Sequence, residues 1–201
     1  MQEDASLAPE QPTEQPTEKT EQQRGGTNWL RETLETLIPA VLLALIINLF
    51  LAQATRVEGQ SMEPNLHTDQ RIVVEKVTYR FHTPERGDIV VLKAMDGSRE
   101  LLIKRVIGLP GETVEVHGGI VWINGQPLDE PYLETDGLCQ VPGMSLCEMS
   151  PRSVPEGHIF VMGDNREHSN DSRAFGPVPL ENIIGHAWLS YWPLGKVGIV
   201  H

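Results

Sequence analysis

The chain has 201 residues, of which 39 % are hydrophobic and 5 % aromatic, and its formal net charge at pH 7 is −12. This length accommodates one main domain with appendages, and the lean apolar content is compatible with a β-rich core. The acidic balance excludes a nucleic-acid partner, because phosphate binding requires clustered Lys and Arg side chains and the sequence contains no basic stripe.

Residues 1–28 consist mainly of Glu, Gln, Pro and Thr and carry almost no apolar side chains. Such a segment buries too little surface to offset the entropy lost on ordering, so we expect a disordered acidic tail. Its two Gln-Pro-Thr-Glu copies are a low-complexity feature and not a folding repeat.

Residues 29–54 are predicted to form a single transmembrane helix that anchors the chain. The strictly apolar run from Leu37 to Ala52 is short of the roughly 20 residues that a spanning helix needs, and an interfacial first turn from Trp29 makes up the length. Two arginines precede the run and one follows it. This small bias favours a cytoplasmic N-terminus, and hence a cytoplasmic tail, with the C-terminal part outside.

The end of this segment also fits a second interpretation. Ala52-Gln53-Ala54 has the small-x-small pattern of a secretory cleavage site, and cleavage there would release a soluble domain. The apolar run is slightly longer than the core of a typical signal peptide, so we favour a retained anchor.

Residues 55–201 are predicted to form an all-β domain of antiparallel sheets, because apolar and polar residues alternate from Arg71 onward. Asn124-Gly125 is a strong hairpin signal. The predicted strands are rich in Val and Ile and are separated by Gly, Pro and Asn; they are Ile72 to Tyr79, Asp88 to Met95, Leu101 to Ile107, Thr113 to His117, Ile120 to Ile123, His158 to Met162, His186 to Tyr191 and Val197 to Val200.

The two cysteines, Cys139 and Cys147, lie in a polar stretch rich in Gly and Pro. In a chain that enters a membrane, such a pair favours a disulfide in an oxidising compartment, with two unpaired thiols as the alternative. A zinc site would need two further ligands nearby, and none stands out. The sequence implies no other metal and no organic cofactor.

Ser61 and Lys104 are candidates for chemistry. Ser61 lies in a turn between Gly59 and Pro64, where a hydroxyl faces outward; most such serines are only solvated. Lys104 shares a strand face with apolar residues, so either its amine reaches out to water or burial lowers its pKa. A neutral lysine amine is able to act as general base for a serine hydroxyl.

The polar run of residues 163–176 contains more small hydrogen-bonding groups than a simple connection needs. Asp171 and Arg173 are spaced so that they can pair and brace it. A Ser-His-Asp triad within this run, built on His168, is disfavoured because triads assemble from distant segments.

Four motifs in order resemble the type I signal peptidases (leader peptidases). With the apolar segment that precedes the motifs, the resemblance covers essentially all of residues 29–201. The motifs are Ser-Met-x-Pro at Ser61, Met62 and Pro64; a Gly-Asp turn at Gly87 and Asp88; Lys-Arg-Val-x-Gly-x-Pro-Gly from Lys104 to Gly111; and Gly-Asp-Asn-x-x-x-Ser-x-Asp-Ser-Arg from Gly163 to Arg173.

The resemblance implies a membrane-bound Ser/Lys endopeptidase that cleaves signal peptides from exported preproteins after small-x-small motifs. Ser61 would be the nucleophile, with its backbone N–H in the oxyanion hole, and Lys104 the general base. Ser169 would hydrogen-bond and aim the lysine amine. Gly59 stands where some members carry a second hydroxyl donor. The remaining positions are implied to support the site or contact substrate: Gly163 and Asp164 near the site, Asp171 and Arg173 as an ion pair, and Met62 beside the substrate.

The implied partners are preproteins and the lipid bilayer, and the implied location is the cell membrane, with the thylakoid membrane left open. The substrate is expected to bind as an extended strand at a sheet edge. Two alternatives remain: a membrane-tethered domain that only binds partners, and a membrane-proximal protease of another specificity.

Overall fold

The computed structural model describes residues 25–47, 51–133 and 147–200. The chain divides into two compact units, Met1–Leu42 and Leu43–His201. Helix α1 spans Gly25–Ile46 and contains Pro39. Within the described ranges, no helix is both long enough and apolar enough to cross a bilayer. Residues 1–24 of the expected tail lie outside the described residues.

Strand β1, Ala52–Arg56, begins inside the segment that was predicted to be a helix up to Ala54. It pairs antiparallel with β2, Arg71–Glu75, with Ala54 opposite Val73. Pairing with β2 supplies the backbone hydrogen bonds that a continued helix would have supplied, so the described helix ends earlier than expected. The alternative cleavage segment, Ala52-Gln53-Ala54, therefore lies in a paired strand.

The larger sheet contains eight strands. Besides β1 and β2 these are β3 Ile89–Lys93, β4 Leu101–Gly108, β9 His158–Met162, β10 Val178–Pro179, β11 Ile183–Trp192 and β12 Gly198–Ile199. Their order is β1-β2-β11-β3-β4-β9-β10, with β12 paired to β11. Strands β3 and β4 thus lie in the interior of the sheet, and β1 lies at one edge.

The smaller sheet contains four strands in the order β7-β6-β5-β8. They are β5 Thr113–His117, β6 Ile120–Ile123, β7 Gln126–Pro127 and β8 Met149–Ser153. The predicted Asn124-Gly125 turn joins β6 to β7, and both of its residues have positive φ, 51° and 77°. That is the backbone a two-residue hairpin turn requires.

The prediction of an antiparallel β domain is confirmed, since every strand pairing in the described part of the chain is antiparallel. Strands β5, β6 and β9 have the expected bounds. The strands that were not predicted are β1, β7, β8 and β10. Two are only two residues long, and β8, Met-Ser-Pro-Arg-Ser, lacks apolar alternation.

Strand β3 is buried on both faces. Ile89 and Val91 belong to one apolar cluster, whereas Val90 and Leu92 belong to another. A strand with two covered faces reads as a continuous apolar run and not as an alternation. Its neighbour β4 is equally enclosed, and this places Lys104, opposite Val90, inside the protein.

Cys147 is buried and disulfide-bonded, which agrees with the bridge favoured from the sequence. Cys139, the other cysteine of the chain, lies outside the described residues.

The motif glycine Gly108 is fixed by close packing. A Cβ added there would lie 2.5 Å from Val114 and 2.9 Å from Phe160. We expect Gly108→Ala to lower the free energy of unfolding by about 1–3 kcal/mol, as overpacking of a tight core does. Denaturant unfolding measures this. The matched control is Gly195→Ala, where nothing lies within 4 Å of the added Cβ; equal destabilisation by both substitutions would contradict the packing argument.

Candidate active site

Ser61 is held by the turn that follows β1. The Glu63 N–H donates to the Gln60 carbonyl at 3.1 Å, and the Leu66 N–H donates to the Met62 carbonyl at 2.8 Å. Met62 and Leu66 are 1 % and 2 % exposed and pack into a core cluster. The buried side chains fix the turn from below and leave Ser61 half-buried above it. Met62 therefore lies in the core, beneath the surface that a substrate would meet.

Lys104 reaches Ser61 from the centre of the larger sheet. Its Nζ lies 2.7 Å from Ser61 Oγ and donates to the Ile103 carbonyl at 3.0 Å. The residue is 2 % exposed. The distance to Ser61 is short enough for a proton to pass along it in either direction.

Burial lowers the pKa of the Lys104 amine from its ordinary value to about 8. Desolvation is the largest cause, because a buried ammonium loses its hydration. The carboxylates of Asp171 and Asp164 oppose this effect and raise the pKa, while Arg173 lowers it further. A substantial fraction of the amine is therefore neutral near pH 8.

Gly163 lies directly against the backbone of Ser61. A Cβ added to Gly163 would stand 2.4 Å from the Ser61 carbonyl oxygen and 2.3 Å from Ser169 Oγ. Two residues later, the Asn165 N–H donates to the same Ser61 carbonyl at 3.0 Å. The absence of a side chain at residue 163 is what lets this loop support the serine.

Ser169 lies in the site, and its hydroxyl has no hydrogen-bond partner among the described residues. The residue is 5 % exposed. The resemblance implied a hydrogen bond between this hydroxyl and the Lys104 amine. The structure places Ser169 beside Gly163 and does not form that hydrogen bond. An unpaired buried hydroxyl costs roughly 1–3 kcal/mol.

The ion pair expected between Asp171 and Arg173 is formed and buried. Arg173 donates from Nε at 2.9 Å and from Nη2 at 2.8 Å, one bond to each carboxylate oxygen. Asp171 also accepts from the Gly163 N–H at 3.0 Å and caps the N-terminus of the one-turn helix α2, Ser172–Phe175. The pair therefore holds one side of Gly163.

Asp164 is paired with Arg105, which sequence reasoning did not single out. Arg105 Nε and Nη2 donate to the two carboxylate oxygens at 2.8 and 2.7 Å, and both side chains are 1–2 % exposed. Asn65 donates to Asp164 at 2.8 Å, and the Tyr132 ring stacks 4.0 Å from the Arg105 guanidinium carbon. An arginine in a buried strand requires a buried acidic partner. This rule, applied to Arg105 in the sequence, would have indicated that such a pair exists.

Asp164 and Asp171, the acidic side chains at the site, thus each form an ion pair with an arginine. Across the described parts of the chain, no group of three His, Cys, Asp or Glu side chains is placed to hold a metal ion.

A cavity of about 660 Å³ opens between β1 and the start of β4. Its apolar and small lining residues are Ala54, Thr55, Gly59, Val91, Leu101, Leu102 and Ile103, and its charged lining residues are Arg56, Glu58, Arg99 and Glu100. Because β1 is an edge strand, an extended peptide has backbone hydrogen-bonding groups available there.

Known proteins match this chain over most of its length. The family model for signal peptidase, peptidase S26, matches residues 30–192. A signal peptidase I from Leptolyngbya laminosa is 44 % identical and covers 84 % of this chain and 83 % of that protein. The probable signal peptidase I-1 of Synechocystis sp. is 42 % identical, with coverages of 85 % and 86 %.

Two further similarities involve a plant protein and a solved structure. The chloroplastic thylakoidal processing peptidase 1 of Arabidopsis thaliana is 34 % identical and covers 88 % of this chain and 55 % of that protein. A solved signal peptidase I from Enterococcus faecalis V583 is 34 % identical, has a TM-score of 0.45, and covers 52 % of this chain and 97 % of its own.

The unpaired hydroxyl of Ser169 generates a stability prediction. Ser169→Ala removes a buried group without a partner, so the free energy of unfolding is expected to stay constant or rise by up to about 1 kcal/mol. The matched control is Ser172→Ala, because Ser172 Oγ is buried and accepts from the Val161 N–H at 3.0 Å. That substitution is expected to cost about 1–3 kcal/mol in the same denaturation experiment. A larger loss for Ser169→Ala than for Ser172→Ala would contradict the geometry.

Proposed function

Since this chain belongs to the signal peptidase family, peptidase S26, we propose that it removes signal peptides from exported preproteins with Ser61 as nucleophile and Lys104 as general base. The observation that carries the proposal is the 2.7 Å contact between Lys104 Nζ and Ser61 Oγ inside a buried strand. A serine alone is a poor nucleophile, and a neutral amine at this distance activates it.

In the first step, Ser61 Oγ attacks the scissile carbonyl carbon and its proton passes to the neutral Lys104 amine. The resulting ammonium then gives the proton to the leaving amine of the mature protein, so the C–N bond breaks and a Ser61 ester remains. A water molecule, deprotonated by Lys104, hydrolyses the ester and releases the signal peptide. The developing oxyanion is stabilised by the Ser61 backbone N–H. Gly59, which has no hydroxyl, leaves a second donor to another group.

Ser169 is proposed to orient the lysine amine once substrate is bound. Its hydroxyl is buried, unpaired among the described residues and adjacent to Gly163, so it is available to a neighbouring polar group. A hydroxyl accepts from or donates to a neutral amine without favouring the charged form as a carboxylate would. The unsatisfied state of Ser169 would then be part of the site's function and not a packing defect.

The substrate is proposed to lie in the cavity between β1 and β4 as an added strand. The small residues Ala54 and Gly59 and the apolar Leu101–Ile103 segment suit a peptide with small side chains at the first and third positions before the cut. Met62 is buried and does not line the cavity, so it would act on substrate binding only through the turn that holds Ser61.

We also propose the domain organisation expected from the sequence, with a cytoplasmic tail, an anchor within residues 29–54 and an extracytoplasmic catalytic domain. Relatives of this chain include signal peptidases of cyanobacteria and a thylakoidal processing peptidase, which favours the cell membrane or the thylakoid membrane as its location. A bilayer confines both an anchored enzyme and the apolar segment of its substrate to one surface.

The dyad is tested by substitution. Ser61→Ala and Lys104→Met, the latter keeping most of the side-chain volume, are each expected to reduce preprotein cleavage at least about a thousandfold. Cleavage is measured with the purified full chain in detergent. The control is Lys93→Met, which removes an exposed lysine at the end of β3. Cleavage retained by Lys104→Met would refute the general base, and cleavage retained by Ser61→Ala would refute the nucleophile.

The pH dependence follows from the lowered pKa of Lys104. Only the neutral amine accepts the proton, so kcat/KM is expected to rise about tenfold per pH unit below pH 8 and to level off above it. The midpoint is expected near the pKa of about 8. Initial rates across the pH range measure this profile. A midpoint near the ordinary pKa of a lysine, with the enzyme folded throughout, would exclude the buried amine as the base.

A further inference from the structure

Gly163 is held at both of its backbone polar groups by buried charged side chains. Its N–H donates to Asp171 Oδ2 at 3.0 Å, and its carbonyl accepts from Arg166 Nε at 3.1 Å. A glycine has no side chain to restrict its backbone, so its position depends on these partners. Asp171 is one of the residues that define the last motif, whereas Arg166 lies at a position of that motif where any residue is allowed.

Arg166 is in turn fixed by Glu130, which lies outside all four motifs. The Arg166 Nη1 and Nη2 atoms donate to the two Glu130 carboxylate oxygens at 3.1 and 2.5 Å. The side chains are 3 % and 7 % exposed. Such a planar, two-bond contact orients the guanidinium and leaves its Nε–H aimed at the Gly163 carbonyl.

Glu130 is itself connected to Arg105 and Asn65 through Tyr132. The Tyr132 hydroxyl donates to Glu130 at 2.6 Å, and the Tyr132 ring lies on Arg105. Asn65, four residues after the catalytic serine, donates to the Tyr132 carbonyl at 2.9 Å. The segment from Glu130 to Tyr132 therefore contacts Arg105 and Arg166, two of the three buried arginines around the loop with Gly163 and Asp164.

We propose that Glu130 and Arg166 are a positioning pair for catalysis, which fixes the Gly163 carbonyl and thereby holds the loop that supports Ser61. Gly163 touches the Ser61 carbonyl, and Asn165 hydrogen-bonds to it. If the guanidinium loses its orientation, Gly163 is free to move, Ser61 loses its support, and the contact with Lys104 lengthens. Water then enters beside the amine.

The test rests on the proposed function and uses the purified full chain in detergent with a fluorogenic peptide that has Ala at the first and third positions before the cut. Glu130→Gln and Arg166→Lys are each expected to lower kcat about 10- to 100-fold, because small misplacements of reacting groups have effects of this size. KM is expected to stay within about twofold, since neither residue lines the cavity. The double variant is expected to be no slower than the slower single variant, because both act through one contact.

The acidic limb of the pH profile separates positioning from stability. Admitted water rehydrates the Lys104 amine, so its pKa rises and the limb moves to higher pH. Asp171, Asp164 and Arg173, the charges that face this amine, are unchanged in every variant, so a shift reports on burial.

The matched control is Glu112→Gln. Glu112 pairs with Arg86 at 2.6 Å, and Arg86 likewise donates to a backbone carbonyl, that of Ile107. This substitution is expected to lower thermal stability while leaving kcat and the acidic limb unchanged. Tyr132→Phe, which removes only the hydroxyl donated to Glu130, carries the test if Glu130→Gln does not fold; it is expected to lower kcat severalfold with the same shift of the limb.

The positioning pair is overturned, and the proposed function is left standing, if Glu130→Gln or Tyr132→Phe folds and has an unchanged kcat. The same conclusion follows if Glu112→Gln lowers kcat as much as they do. A limb that does not move in either variant overturns it as well. A wild-type chain that fails to cleave, or a Ser61→Ala variant that still cleaves, overturns the proposed function and the positioning pair with it.

Discussion

The structure depends on burying a lysine amine in the middle of a sheet. Lys104 lies on β4 between β3 and β9, and apolar clusters cover both faces of these strands. A charged ammonium in that position is penalised by lost hydration, and the protein responds by lowering the pKa of the group and not by pairing it with a carboxylate. The only polar contacts of the Lys104 amine with described groups are the Ser61 hydroxyl and the Ile103 carbonyl.

Lys104 and Arg105, two consecutive basic residues on β4, are accommodated in the buried sheet in different ways. Lys104 loses its charge readily, because burial lowers the pKa of its amine to about 8. A guanidinium does not deprotonate in proteins, so burying Arg105 requires the two-bond contact with Asp164. Because successive side chains of a strand point to opposite faces, the unpaired amine and the paired guanidinium stay separate.

The loop after β9 connects these groups. Gly163 and Asp164 are adjacent in sequence; one touches the backbone of Ser61, and the other neutralises Arg105. Three buried ion pairs surround this loop: Arg105 with Asp164, Arg166 with Glu130, and Arg173 with Asp171. Each pair fixes a backbone group or a side chain that an apolar contact would leave free to rotate. This explains why charged side chains, and not apolar ones, fill so enclosed a region.

The sequence by itself determined the antiparallel β domain, the hairpin at Asn124-Gly125 and the positions of Ser61 and Lys104 within recognisable motifs, because alternation, turn residues and motif spacing are local properties. Only the tertiary structure decided that Ala52–Arg56 pair as a strand, that Ser169 lacks a hydrogen bond to described residues, and that Arg166 selects Glu130. The choice among acids for a buried arginine depends on which segments the sheets bring together, and no local pattern contains that information.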